Sequence, residues 1–210
     1  LSEIADFLQN RDVDTIEQKL TQQKAAVTQK MAELSRIERK IDHRLAQLHD
    51  AKAAKLDEIE ILASPACRLV WMEDALYLKS FLDMEPSIRR LEQSQREAVV
   101  FLGKVGVGIS KEHLEAGQFS WYDCAFLLLD REDRFDGETH KLPETLCARI
   151  RFRGSHPQAG AAYEKLLAFL QAHHFTISGF SREVTLIDNG LTDDPGKFVT
   201  ELSIPVRPAE

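Results

Sequence analysis

The chain has 210 residues, of which 43% are hydrophobic and 29% are charged, and its formal net charge is −7. An acidic chain has no long-range attraction for phosphate backbones, so these residues alone should not bind duplex DNA well. The apolar runs are too short to span a bilayer and no signal-peptide pattern is present, so we expect no membrane association.

The cysteines indicate the compartment. Cys67, Cys124 and Cys147 are scattered, without the spacing of a zinc or disulfide motif. This usage favours a reducing cytoplasm, where free thiols are usually small buried hydrophobes, and a thiol switch is the minor alternative. The adjacent His173 and His174 fit a polar helix end better than a metal site, because no third ligand stands at a motif spacing. We therefore expect no metal and no cofactor.

Residues 1–12 form a short segment of their own. LSEIADFL has the pattern of a short amphipathic helix, and NRD after it predicts a turn into the next element. We interpret this segment as the tail of something removed upstream.

A seven-residue repeat dominates the next segment, residues 13–63. Its apolar positions are Val13, Leu20, Val27, Leu34, Ile41 and Leu48. A straight α-helix cannot keep this repeat on one face, so it supercoils around a partner. No Pro or Gly lies between Val13 and Ser64, which allows a helix of about 45 residues, roughly 65 Å long.

The repeat predicts a coiled-coil dimerisation helix and hence a homodimer. Gln23, Lys30 and Arg44 stand in the second seam, where a strong zipper has Leu, so pairing should be weakened and its register fixed. A surface helix folded back on its own domain is the alternative. The repeat does not distinguish parallel from antiparallel pairing.

Residues 64–210 change to the period of two that is typical of strands. The predicted order is strands CRLVWM and ALYLKSF, a helix from Pro86, and strands KVGVGIS and WYDCAFLLLD. The order then recurs as HKLPETLCARIRF, a helix opened by Pro157, FTISGFSREVTLI and KFVTELSIPV. One face of the second helix carries Tyr163, Leu166, Leu167 and Leu170.

A weak sequence echo joins the two halves of this domain, because MEDALYLKSF parallels LPETLCARIRF. We therefore predict an α+β protein in which the long helix is followed by two β-α-β-β repeats related by a pseudo-two-fold axis.

The same residues resemble a known family. LSEIADFLQNRDVDTIEQKLTQQKAAVTQKMAELSRIERKIDHRLAQL is similar to the dimerisation segment that follows the winged helix-turn-helix of MerR-family transcription regulators. LPETLCARIRFRG, AAYEKLLAFL, SREVTLI and TELSIPV resemble the GyrI-like effector-binding domain of multidrug-sensing members such as BmrR. The resemblance implies that residues 1–12 are the remnant of an upstream DNA-binding domain. It also implies antiparallel helix pairing, a small-molecule effector, and DNA and RNA polymerase as partners of the full-length protein only.

Glu183 is the strongest single candidate for a ligand contact. It lies in SREVTLI among apolar neighbours, and burial of an unpaired carboxylate costs several kcal/mol. An amphipathic cation would supply the missing charge, and the resemblance implies an acidic ligand-contacting residue at this strand position. A solvated Glu183 paired with Arg182 is the alternative.

Aromatic side chains complete the candidate site. Trp121 and Tyr122 are expected to open a strand, and the resemblance places Tyr122 and Phe198 where pocket-lining aromatics occur. Flat rings add cation–π attraction of about 0.5–2 kcal/mol each. The candidate ligand-binding set is Glu183, Tyr122, Phe198, Trp121, Tyr163 and Thr185. Tyr163 could equally belong to the core, and we expect a purely structural role for Trp71, Tyr77, Phe126 and Phe152.

Two positions depart from the family pattern. Gly154 and Ala159 stand where better-known multidrug sensors have aromatic residues. This departure suggests a wider pocket or a different ligand.

Three functions are compatible with the sequence. The favoured one is the ligand-sensing, dimerising part of a MerR-type regulator, which is not an enzyme. The second is a GyrI-like small-molecule hydrolase using Glu183 and Tyr122, although GxSxG, HExxH and Cys/His motifs are absent. The third is an antagonist without a DNA-binding domain that pairs with other proteins through its coil.

Overall fold

A computed structural model describes residues 12–72, 89, 104–131, 133 and 135–209. The chain divides into two compact units, residues 1–46 and residues 47–210. The segment ALYLKSF, the helix expected from Pro86 and the proposed remnant up to residue 11 lie outside the described residues. Within the described part of the chain, no helix is long and apolar enough to cross a membrane.

The long helix, α1, spans Val13–Ala53. Asp12 caps its start, because its Oδ2 accepts from the Thr15 N–H at 3.1 Å and from the Thr15 hydroxyl at 2.8 Å. The predicted end at residue 63 is wrong. Asp57 takes the left-handed conformation (φ 63°) and donates its N–H to the Arg151 carbonyl at 2.7 Å, so the chain turns into a strand. A turn made by Asp rather than by Pro or Gly gave no strong sequence signal.

The apolar seam of α1 is largely exposed in the single chain. The exposed fractions are 77% for Val13, 60% for Leu20, 56% for Val27, 65% for Leu34 and 55% for Ile41. The predicted helix is therefore confirmed, whereas its pairing with a second chain stays a prediction.

Nine described strands form the antiparallel sheet of the second unit. In chain order they are β1 (Ile59–Ser64), β2 (Cys67–Met72), β3 (Val105–Gly108), β4 (Cys124–Leu129), β5 (His140–Leu142), β6 (Thr145–Arg153), β7 (Phe175–Ile177), β8 (Arg182–Ile187) and β9 (Val199–Pro208). The described helices are α2 (Lys111–Glu115) and α3 (Gly160–Ala172). Short 3-10 turns span His156–Gln158 and Pro195–Lys197.

The strand order confirms the duplicated α+β architecture. It reads β1-β6-β9-β8-β3-β4-β2-β5, with β7 added beside β9. The second half, β6-β9-β8, mirrors the first half, β2-β4-β3, about the junction between β8 and β3. The two halves exchange their outer strands: β1, which precedes β2 in the chain, pairs with β6, and β5, which precedes β6, pairs with β2. A pseudo-two-fold axis therefore passes between β8 and β3.

The sheet is strongly curled. In a flat sheet, β1 and β2 would lie six strand spacings apart, about 29 Å. Only Pro65 and Ala66 join them, and three Cα steps reach at most about 11 Å. The two ends of the strand order must therefore approach each other.

The topology corrects the expected sequence echo. The strand equivalent to β6 is β2, residues 67–72, and not the segment 75–81. SPACRL and LPETLCARI are the matching stretches, because Pro65 precedes β2 as Pro143 precedes β6. The predicted match of MEDALYLKSF to LPETLCARIRF rested on apolar and acidic residues alone, and it lies too far along the first half of the domain.

Alternate residues of the strands pack into two clusters. The larger lies beneath α3, which buries Tyr163, Leu166 and Leu170 as predicted. Leu167, predicted on the same face, is only partly buried, and Ala162 is buried instead. The smaller cluster, on the opposite face of the sheet, centres on Leu69, Phe126 and Val184. Trp71, Phe126 and Phe152 take the core positions expected of them, whereas Tyr77 lies outside the described residues.

Candidate functional site

Strand β8 places the candidate carboxylate at the junction of the two halves. Glu183 pairs with Val107 of β3 on one side and with Leu202 of β9 on the other. The alternation of the strand turns Glu183 and Thr185 toward the face covered by α3, whereas Val184 joins the opposite cluster. Glu183 is 0% exposed. The solvated alternative for this residue is therefore wrong.

A histidine from the turn before α3 meets this carboxylate. Gly154 has a φ of 125°, a backbone conformation that residues with a side chain rarely adopt. Ser155 and Gln158 form a capping box at the start of the 3-10 turn. This local geometry holds His156 in the core at 3% exposure. Its Nδ1 lies 2.6 Å from Glu183 Oε1. Gly154 is thus needed for the backbone conformation of the turn that positions His156.

Tyr122 provides a second donor to the same carboxylate. Its hydroxyl lies 3.1 Å from Glu183 Oε2 and 3.3 Å from Oε1. Burial, and then the charge of Glu183, raise the pKa of Tyr122, so the hydroxyl keeps its proton and donates. Tyr122 forms an isolated bridge before β4, which begins at Cys124, and it does not open that strand as the sequence predicted. Because the backbone before β4 is irregular, the Tyr122 side chain lies on the same face of the sheet as Ala125 and Leu127, which regular alternation would not allow.

The hydroxyls of Thr185 and Thr200 lie on the Nε2 side of the His156 imidazole. Thr200 donates to the Gly154 carbonyl at 2.7 Å, which leaves its oxygen free to accept from the Thr185 hydroxyl at 3.1 Å. Thr185 Oγ1 lies 3.5 Å from His156 Nε2. The imidazole of His156 is thus hydrogen-bonded to Glu183 through Nδ1 and lies against the Thr185 hydroxyl through Nε2.

Tyr163 forms the α3 side of the site. It is fully buried, and its hydroxyl lies 2.9 Å from Ser181 Oγ, which also accepts from the Ile109 N–H at 2.9 Å. Burial raises the pKa of Tyr163 well above its usual value, and the negative charge of Glu183 adds to the effect. Phe119 stacks on its ring at a centroid distance of 5.2 Å. Tyr163 is thus both a core residue and a neighbour of the carboxylate.

The structure brings four of the six candidate residues together: Glu183, Tyr122, Tyr163 and Thr185. Phe198 is buried near the His156 turn, where its carbonyl accepts from the Gly154 N–H at 3.1 Å. Trp121 is 44% exposed, and the described contacts of Glu183 do not include it. The geometry therefore gives no support to Trp121 as part of the set.

Sequence reasoning was wrong about the state of Glu183, which is paired rather than an unpaired charge. The partner missed was His156, and the hydroxyl relay through Thr200 was missed as well. The usable signal was the GSHPQ turn, whose Gly, Ser and Pro predict a tight helix entry with His at its centre. No spacing rule links residue 156 to residue 183, since a tertiary contact joins them.

The buried carboxylate of Glu183 is contacted by an imidazole and by a phenol hydroxyl. An aromatic cation at Glu183 would meet the phenol groups of Tyr122 and Tyr163, which are oriented by hydrogen bonds. Within the described residues, no three His, Cys, Asp or Glu side chains are arranged to hold a metal ion. The chemistry available from these groups is charge recognition and proton donation.

Comparison with known proteins identifies the fold. The family model of the GyrI-like small molecule binding domain matches residues 80–207, which is more than half of the chain. A search of curated protein sequences finds no significant relative.

Solved structures of low sequence identity share this architecture. The C-terminal domain of EcmrR, a MerR-family protein, is 11% identical, with a TM-score of 0.57, covering 72% of this chain and 98% of that one. EcmrR in its DNA complex is 14% identical, with a TM-score of 0.57, covering 100% of this chain and 78% of that one. A hydrolase from Listeria innocua is 11% identical, with a TM-score of 0.52, covering 77% and 97%.

Proposed function

The chain belongs to the GyrI-like family of small-molecule-binding domains, and we propose that it is the ligand-sensing and dimerising part of a MerR-type transcription regulator. Its effector is an amphipathic aromatic cation, bound at Glu183 with Tyr122, Tyr163, Thr185 and Phe198. The observation that carries this proposal is a fully buried carboxylate held between an imidazole and a phenol.

Internal pairing explains how such a site stays folded without a ligand. His156 compensates Glu183 in the empty protein, and the Thr185–Thr200–Gly154 relay compensates His156 in turn. An entering cation competes with His156 for the carboxylate. Because a buried charge left unpaired is costly, the displaced imidazole must lose its proton or move with its turn. Ligand binding is thereby coupled to the segment that leads into α3.

The exposed seam of α1 supports the dimerising part of the proposal. A coil counted from Val13 puts Lys19 and Glu33 at g and Lys24 and Glu38 at e. Parallel pairing would oppose Lys19 to the partner's Lys24 and Glu33 to the partner's Glu38, and both contacts are repulsive. Antiparallel pairing about Met31 brings Lys24 opposite the partner's Glu38. The charges thus favour the antiparallel dimer.

The experiment that tests the proposed ligand class is a thermal-shift screen of the full chain. Lipophilic cations such as tetraphenylphosphonium are compared with neutral and anionic dyes of similar size. A ligand that binds only the folded state at one hundred times its Kd stabilises it by about 2.7 kcal/mol. The proposal expects cations to raise the melting temperature most. A response confined to anionic or neutral dyes would contradict it.

A second function, hydrolysis, is favoured by the hydrogen-bonded Glu183, His156 and Tyr122 and by the fold shared with the Listeria innocua hydrolase. Carboxylate and imidazole together can activate a water molecule. Turnover of a chromogenic ester panel by the wild type, lost in Glu183→Gln, would establish it. We place hydrolysis second because the Glu183 carboxylate is already hydrogen-bonded to His156 and both side chains are buried away from water.

A further inference from the structure

A cavity lies on the face of the sheet opposite Glu183. Its volume is about 230 Å³, and its lining includes residues from β1, β2, β4, β6, β8 and β9. The alternation of β8 sends Arg182 to this cavity and Glu183 to the other face. Adjacent residues of one strand thus carry opposite charges into two separate environments.

The guanidinium of Arg182 meets only neutral groups among the described residues. It donates to Ser64 Oγ at 3.0 Å, to Cys147 Sγ at 3.2 Å and to Cys67 Sγ at 3.8 Å. Burial raises the pKa of the Cys147 thiol, although Arg182 opposes the shift, so this sulfur stays protonated. An arginine does not lose its proton, and its charge here is therefore uncompensated by its contacts.

The carboxylates nearby are bound to other arginines. Glu201, which also lines the cavity, accepts from Arg151 at 2.7 Å and from Arg149 at 3.5 Å. Glu60 accepts from Arg149 at 2.7 Å. Arg151 also binds Asp50, so Arg149 and Arg151 together bind all three of these carboxylates. None of the three is a described hydrogen-bond partner of Arg182. In addition, Arg182 Nε is buried without a hydrogen-bond partner among the described residues.

The walls around this charge are apolar. They include Leu62, Pro65, Leu128 and Val184. A guanidinium beside an apolar wall matches a ligand with a planar anionic head and an apolar body, because guanidinium and carboxylate form paired, charge-assisted hydrogen bonds. A fully hydrated inorganic ion would leave the walls unmatched.

We propose that this cavity is a second binding site, selective for a small organic carboxylate whose head group binds Arg182. It is separate from the cation site at Glu183 and has the opposite charge preference. The protein can then hold two small molecules on the two faces of β8, and the anion site does not depend on the function proposed for the first.

Benzoate tests the proposal, with benzamide as its neutral counterpart of the same shape. Calorimetry on the full chain should give saturable benzoate binding, with a Kd of about 1 mM or tighter. Benzamide should bind at least tenfold more weakly. Arg182→Gln should weaken benzoate tenfold or more, whereas Arg153→Gln, an exposed arginine outside this cavity, should leave it unchanged. Equal affinity for the two probes, or benzoate binding unaffected by Arg182→Gln, would overturn the assignment.

A measurement on the wild type covers the case in which Arg182→Gln fails to fold. Cys67 lines the cavity and is half-buried, whereas Cys124 does not line it. Benzoate should slow alkylation of Cys67 by N-ethylmaleimide severalfold, as read by peptide mass spectrometry, and benzamide should not. Cys124 provides the internal control. Equal alkylation of Cys67 with and without benzoate would also refute the site.

Discussion

At the scale of single residues, the buried pair of His156 and Glu183 is the central feature. Both side chains are almost fully enclosed, at 3% and 0% exposure, and their contact distance is 2.6 Å. Removing one partner of a buried pair is costly because the other keeps its charge in a poor solvent. If Glu183 were an unpaired buried charge, as the sequence predicted, Glu183→Gln would melt no lower than the wild type. The contact with His156 reverses that expectation.

Glu183→Gln should lower the melting temperature of the empty protein. The amide keeps a hydrogen bond to His156 but loses the charge pair, so we expect a loss of about 1–3 kcal/mol, or roughly 3–10 °C. Scanning calorimetry measures it. Glu164→Gln, the same change on the exposed face of α3, should shift the melting temperature by less than about 2 °C. A Glu183→Gln variant as stable as the wild type would mean that the pair contributes nothing.

His156→Gln should strengthen the binding of a lipophilic cation while it destabilises the empty protein. The glutamine is uncharged, so the entering cation no longer competes with an imidazolium, and affinity should rise about threefold or more. Titration with tetraphenylphosphonium measures the change. His173→Gln, an exposed histidine at the end of α3, is the matched control. Weaker binding by His156→Gln would make His156 a ligand contact instead of a competitor.

At the scale of secondary structure, the periodicities of the sequence were reliable and the turns were less so. The 3.5-residue repeat predicted α1, and the apolar face of α3 was read correctly because helix burial repeats locally. The end of α1 was missed because Asp57 makes the turn with a positive φ that the sequence does not announce. The split of HKLPETLCARIRF into β5 and β6 at Pro143 was also missed, since both parts alternate.

The apolar seam of α1 should hold a homodimer. Leu34 and Ile41 are 65% and 55% exposed in one chain, and each apolar seam side chain is worth roughly 1.5–3 kcal/mol when fully buried. Changing both to Asp should give monomers by multi-angle light scattering, with the sheet domain still folded by circular dichroism.

The control changes Ala25 and Ala32 to Asp, because both lie on the opposite side of the helix from the seam. These variants should remain dimeric at the same concentration. A Leu34/Ile41 double variant that stays dimeric would show that the seam has been assigned to the wrong face.

At the scale of the whole molecule, the duplicated sheet explains where the site lies. Glu183 belongs to β8 at the pseudo-two-fold junction, so residues distant in the chain, Tyr122 and His156, converge on it from the two halves. The order of elements and the family resemblance predicted this fold and four of the converging residues. The partner of the carboxylate could not be predicted, because the contact depends on how one turn packs across the sheet and no local pattern encodes that packing.

Calorimetric titration of wild type and Glu183→Gln with tetraphenylphosphonium and with neutral triphenylphosphine oxide tests the central claim most directly. The claim is that a buried carboxylate selects cationic aromatic ligands. We predict that Glu183→Gln loses tenfold or more in affinity for the cation, about 1.4 kcal/mol, while its affinity for the neutral compound changes little. Tyr122→Ala should weaken both ligands. Equal cation affinity for wild type and Glu183→Gln would contradict the account and place the ligand elsewhere in the domain.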